Sequence, residues 1–85
     1  MANIQLYTKS YCPYCVRAKN LMQAKGMQFT EINLDGKEQE RAELSARTGW
    51  RTVPQIFIGE RFIGGYDDLA ALDQSGELDR MLAAT

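Results

Sequence analysis

Histidine is absent from the 85 residues. That gap excludes Ser-His and Cys-His nucleophilic sites, zinc sites built on imidazole, and the usual general base of neutral pH. Neither charge sign dominates, since ten Lys and Arg face eleven Asp and Glu. With no basic surplus and no polybasic run, bulk electrostatics recommends neither nucleic acid nor an anionic membrane. Long apolar runs are missing too. Met1-Ala2-Asn3 leads into Ile4-Gln5-Leu6 with no basic region, h-region or cleavage site, which predicts a cytoplasmic chain. What is present is ordinary for a folded protein, 45% apolar and 25% charged residues, and the length predicts one domain over 1–85 with one modest core.

Ile4-Gln5-Leu6-Tyr7-Thr8 alternates apolar and polar residues and predicts a first strand. Pro13 suits a first helical position, and Cys15, Ala18, Leu21 and Met22 recur at helical spacing until Gly26, so a helix is expected over about Pro13 to Lys25. Gln28 to Leu34, closed by Asp35-Gly36, reads as a second strand, parallel to the first across the helical crossover. Lys37 to Thr48 has Leu44 as its only large apolar residue and predicts a mostly solvated helix ending at Gly49. Gln55-Ile56-Phe57-Ile58 and Arg61-Phe62-Ile63 flank Gly59-Glu60 as a hairpin. Asp67 or Asp68 can cap a helix carrying Leu69 and Leu72, and a short turn with Leu78, Met81 and Leu82 follows Ser75-Gly76. The order β-α-β-α-β-β-α predicts an α/β fold of thioredoxin-like type, a four-stranded mixed sheet flanked by helices.

Cysteine is scarce, and its placement carries the chemistry. Cys12 and Cys15 lie three residues apart, whereas a structural staple usually closes a long loop in a secreted chain. No third cysteine and no histidine could complete a zinc site. Cys12 falls where the first strand hands over to the helix, so its sulfur can face backbone N–H groups that have no partner within the helix. Those dipoles favour the thiolate, with Lys9 as an auxiliary charge, and Cys15 one turn on can close a disulfide. A more acidic thiol is more ionised but intrinsically less nucleophilic, so attack gains little; the benefit is a sulfur that leaves readily when another thiol attacks it. Cys12 is expected exposed and Cys15 more buried.

Cys12-Pro13-Tyr14-Cys15, preceded by Tyr7-Thr8-Lys9 and followed by Thr52-Val53-Pro54-Gln55-Ile56-Phe57-Ile58 and Gly64-Gly65-Tyr66-Asp67-Asp68-Leu69, resembles the glutaredoxin family over essentially the whole chain. It is most like the short bacterial dithiol members of the glutaredoxin 3 type. The resemblance implies a thioredoxin fold, glutathione as co-substrate with no tightly bound cofactor or metal, and reduction of protein disulfides and glutathione mixed disulfides by a monomer. It implies that Cys12 attacks and carries glutathione while Cys15 resolves protein mixed disulfides. A glutathione groove would be bordered by Lys9 and Tyr14, with Thr52 and Val53 offering backbone pairing before a cis Pro54. Asp67 and Asp68 would meet the γ-glutamyl end, Arg51 would help with the glycine carboxylate, and Gly65 and Tyr66 would also contact glutathione.

Two further readings stand beside this one. Gly49-Trp50-Arg51 is similar to a segment of glutaredoxin-like redoxins that take electrons from thioredoxin reductase and serve ribonucleotide reductase. A binding module holding an iron-sulfur cluster between two subunits, ligated by Cys12 and glutathione thiols, is the other; the dithiol pattern and Pro13 argue against it.

Overall fold

The computed structural model describes residues 3–84. Its elements run β1 (Ile4–Thr8), α1 (Pro13–Ala24), β2 (Thr30–Asn33), α2 (Glu38–Thr48), β3 (Gln55–Ile58), β4 (Arg61–Gly64), α3 (Tyr66–Gln74) and α4 (Glu77–Ala84). The four strands form one sheet in the order β2-β1-β3-β4. β1 and β2 are parallel, as the crossover through α1 requires, and β1/β3 and β3/β4 are antiparallel.

The alternation of β1 divides the core in two. Ile4 and Leu6 join Ile56 and Ile58 under Ala18 and Met22 of α1, Leu69 of α3, and Leu78 and Met81 of α4. On the opposite face Leu34, Leu44 and Phe57 gather with Tyr7, Ile32, Val53 and Phe62 at their margin. β3 is therefore covered on both sides, which accounts for a run of Gln-Ile-Phe-Ile with no alternation and every residue buried. Leu44 is the sole buried residue of α2, so that helix docks by one side chain, as its composition predicts.

Four boundaries differ from the sequence reading. α1 closes on Lys25, whose N–H reaches the Leu21 carbonyl at 3.1 Å, and Gly26 follows it at φ 69° with its own N–H on the Gln23 carbonyl at 3.0 Å. β2 is shorter than Gln28 to Leu34, because β1 offers it partners only from Gln5 to Thr8; Leu34 still bonds the Thr8 carbonyl at 2.8 Å. Neither Asp67 nor Asp68 is the cap of α3: Gly65 holds that position, and Asp68 Oδ2 accepts from the Gly65 N–H at 3.1 Å. The last segment is a helix of 8 residues rather than a short turn. Ser75 Oγ accepts from the Glu77 N–H at 3.3 Å, and Gly76, at φ 82°, separates α3 from α4. Among the described residues no helix is long and apolar enough to cross a membrane.

Candidate active site

Cys12 is the N-cap of α1, extended at φ −112° and ψ 100°, with Pro13 opening the helix behind it. Its sulfur accepts from the Cys15 N–H at 3.2 Å, so one of the unpaired donors of the helix start points at the atom that would carry charge. The two cysteines are joined as a disulfide with Cα atoms 5.2 Å apart. Cys12 is half-buried, while Cys15 is 2% exposed. The expected asymmetry between them is present, although Cys12 is less open than anticipated.

A cleft of about 330 Å³ lies beside the sulfur pair. Tyr14 of α1 forms one side, and the segment Thr52, Val53 and Pro54 forms the floor. Gly65, Tyr66, Asp67 and Asp68, at the start of α3, close the far end. The Val53–Pro54 peptide is cis. The Val53 carbonyl oxygen lies 3.8 Å from the Cys12 sulfur, so a residue of the cleft wall abuts the disulfide, although the cysteines themselves line the second hollow. The Tyr14 and Tyr66 rings, with centroids 6.3 Å apart, stand together at its rim, and the Arg17 guanidinium covers the Tyr14 ring.

The structure thus brings together eight of the ten residues that the resemblance assigns to a groove. Lys9 lies elsewhere, in a second hollow of about 490 Å³ that contains Cys12, Cys15 and Tyr11. Arg51 is exposed and lines neither hollow.

Trp50 is the wall residue that sequence reasoning left without a role. Its ring meets Phe62 edge-on at 5.7 Å and presses on Gly65, where a Cβ would stand 2.9 Å from Trp50 Cζ3. The second glycine of Gly64-Gly65 is needed for this close approach, and the pairing of a glycine with a distant aromatic has no local signature.

Part of the charge around the second hollow is paired. Thr8, fully buried, donates its hydroxyl proton to Glu31 Oε2 at 2.7 Å, and Lys19 bridges the same carboxylate at 3.2 Å. The Thr8 hydroxyl first, and Lys19 second, hold the Glu31 carboxyl below the ordinary glutamate range. The Ser10 hydroxyl and N–H do the same for Asp35. Among the described residues no group of His, Cys, Asp and Glu is placed to hold a metal ion.

The Glutaredoxin family profile matches residues 4–63. A glutaredoxin of Pseudomonas aeruginosa is 54% identical over 84 residues, covering 99% of this chain and 100% of that protein. Glutaredoxin 3 of Escherichia coli K12 is 54% identical over 82 residues, covering 96% and 99%. Among solved structures, a buckwheat glutaredoxin-glutathione complex superposes with a TM-score of 0.93 at 36% identity, covering 98% of this chain and 78% of that one. The solution structure of glutaredoxin from Brucella melitensis gives 0.86 at 48% identity, covering 96% and 89%. A helix-capping cysteine, a buried partner one turn on, a thioredoxin-like sheet and this breadth of similarity agree: the chain belongs to the glutaredoxin family of thiol-disulfide oxidoreductases.

Proposed function

We propose that this oxidoreductase takes its electrons from glutathione and that the cleft beside Cys12 holds the tripeptide. The observation that carries the reading is the continuity of the cleft with the sulfur: Val53 lines the cleft and its carbonyl lies 3.8 Å from Cys12 Sγ. A tripeptide joined to Cys12 through its cysteine would run along Thr52 and Val53, whose backbone can pair with it as a strand edge does. Its γ-glutamyl ammonium would meet the Asp67 carboxylate, and its carboxylate the N–H groups at the start of α3. Asp68 already accepts the Gly65 N–H through Oδ2, so it shapes that end while Asp67 is the freer ligand. Tyr14, Gly65 and Tyr66 supply the walls, while Lys9 and Arg51 lie outside the cleft.

Two exchanges follow from this arrangement. With a glutathione mixed disulfide, the Cys12 thiolate attacks the glutathione sulfur, and the substrate thiolate departs and is protonated by water. A second glutathione thiolate then attacks the glutathione sulfur held on Cys12, releasing glutathione disulfide and restoring the Cys12 thiolate. With a protein disulfide, Cys12 forms a mixed disulfide with one substrate sulfur. Cys15 attacks the Cys12 sulfur, freeing the substrate dithiol and leaving the Cys12–Cys15 disulfide found in this structure, which two glutathione molecules reduce.

Partners on this reading are disulfide-bearing or glutathionylated proteins met by a monomer in the cytoplasm, with ribonucleotide reductase among them. An assay with ribonucleotide reductase as sole electron acceptor tests that last member. The central test is glutathione-coupled reduction of a glutathionylated peptide. Cys12→Ser is expected to abolish turnover, and Cys15→Ser to keep part of it because the mixed-disulfide route needs one sulfur. Full activity without Cys12, or turnover supported by thioredoxin reductase and not by glutathione, contradicts the reading.

A further inference from the structure

The cleft wall formed by residues 50–54 belongs to no helix or strand, and two side chains at its ends bind its first residue. Thr48 closes α2 and Gln55 opens β3. Thr48 Oγ1 donates to Gln55 Oε1 at 2.9 Å, Gln55 Nε2 donates to the Trp50 carbonyl at 3.0 Å, and the Trp50 N–H donates to Thr48 Oγ1 at 3.1 Å. The single hydroxyl proton of Thr48 also has the Leu44 carbonyl within 3.1 Å, but Gln55 is nearer. Chemistry orients the amide: the Trp50 carbonyl can only accept, so Nε2 must face it, and Oε1 is left for the hydroxyl.

Gln55 is 2% exposed, in a strand whose other residues are Ile, Phe and Ile. A buried amide there costs free energy that an apolar side chain of similar length would not, unless every hydrogen bond is made. Both backbone polar groups of Trp50 are bound by the Thr48–Gln55 pair, and bulk water cannot replace the buried amide if it is removed. The Trp50 ring in turn forms the wall against Gly65 and Phe62, and three residues further on the Val53 carbonyl faces Cys12.

We infer that Gln55, together with Thr48, is a positioning residue of the glutathione cleft, fixing the Trp50 wall and the Val53 peptide group in register with Cys12. This rests on the glutathione reading of the cleft. Neither side chain lines the cleft, so they act through Trp50 and Val53.

The test uses Gln55→Met, which keeps length and removes both polar contacts, and Thr48→Val against Thr48→Ser, which differ in the hydroxyl. Measurements are made where circular dichroism shows each variant folded; should Gln55→Met fail to fold, the Thr48 pair decides. The KM for a glutathionylated peptide is expected to rise about ten-fold in Gln55→Met and Thr48→Val, with kcat within about two-fold of the parent and Thr48→Ser near the parent. Trp50 is the only tryptophan, so emission from the ligand-free protein reports the wall directly. It should shift in Gln55→Met and Thr48→Val and not in Thr48→Ser. Unchanged KM and emission in folded Gln55→Met overturn the inference, as does a fall in kcat alone with emission unchanged. If the parent protein neither binds S-methylglutathione nor turns over with glutathione, the cleft reading fails on its own, and the emission shift alone then supports or overturns the positioning of Trp50 by Gln55 and Thr48.

Discussion

A Cys12 thiolate would draw its stabilisation from position more than from neighbours of opposite charge. The Cys15 N–H reaches its sulfur at 3.2 Å, whereas Lys9 sits in the hollow on the other side and is an auxiliary at most. A comparable dependence on one close approach governs Gly65. With φ at −96° its backbone suits any residue, so the objection to a side chain is purely the Trp50 ring. Gly65→Ala is expected to cost about 1–3 kcal/mol in urea unfolding and to weaken glutathione binding, because the ring must move into the cleft. Unchanged binding and stability would show that the wall yields freely. Glu31 sets a pH dependence of known sign. Its folded-state pKa is depressed, chiefly by the Thr8 hydroxyl, so the unfolded chain binds that proton more readily. The resulting stability is complete above the unfolded carboxyl's pKa and is lost as pH falls through the folded one. Thermal melts of the parent and Glu31→Gln should therefore differ near neutrality and converge in acid; a gap that widens in acid contradicts the assignment.

Among the elements, β1, α1, α2 and the β3/β4 hairpin were legible because each carries its own periodicity and punctuation: Pro13 and Gly26, Gly49, and Gly59-Glu60. The sparse apolar content of α2 also predicted its shallow docking. Leu44→Ala is expected to lower stability by about 2–4 kcal/mol and to raise amide exchange across α2 before the rest of the sheet, since no second anchor is buried. Uniform exchange along the chain would argue that α2 is not a separate weak unit. What escaped the sequence is non-local. Gly65 became the cap of α3 because the Asp68 carboxylate folds back onto it, and two aspartates side by side do not reveal which one does so. Trp50 gained a place in the site through Phe62 and Gly65, which lie in other segments. Ser75-Gly76 announced a break but not that a full helix follows it.

For the molecule as a whole, a net charge of −1 and a site built from two helix starts and one cis-proline segment make local dipoles, not the bulk field, the main electrostatic influence on the site. The sheet matters as the frame that brings the end of β1, the start of β3 and the start of α3 to one edge, and those three places carry Cys12, the Val53 carbonyl and Asp67. The cysteine pair was legible from its spacing and its place at a helix start, whereas the cleft residues were named from the resemblance to the family, because element order alone does not say which side chains meet at that edge. The account rests on Cys12 being held as an anion by the first turn of α1. Cys15→Ser leaves a single thiol, and its ultraviolet thiolate absorbance can be followed against pH in the reduced protein. The thiolate signal should persist well below neutral pH, whereas titration like free cysteine, near about 8.5, would contradict the central claim.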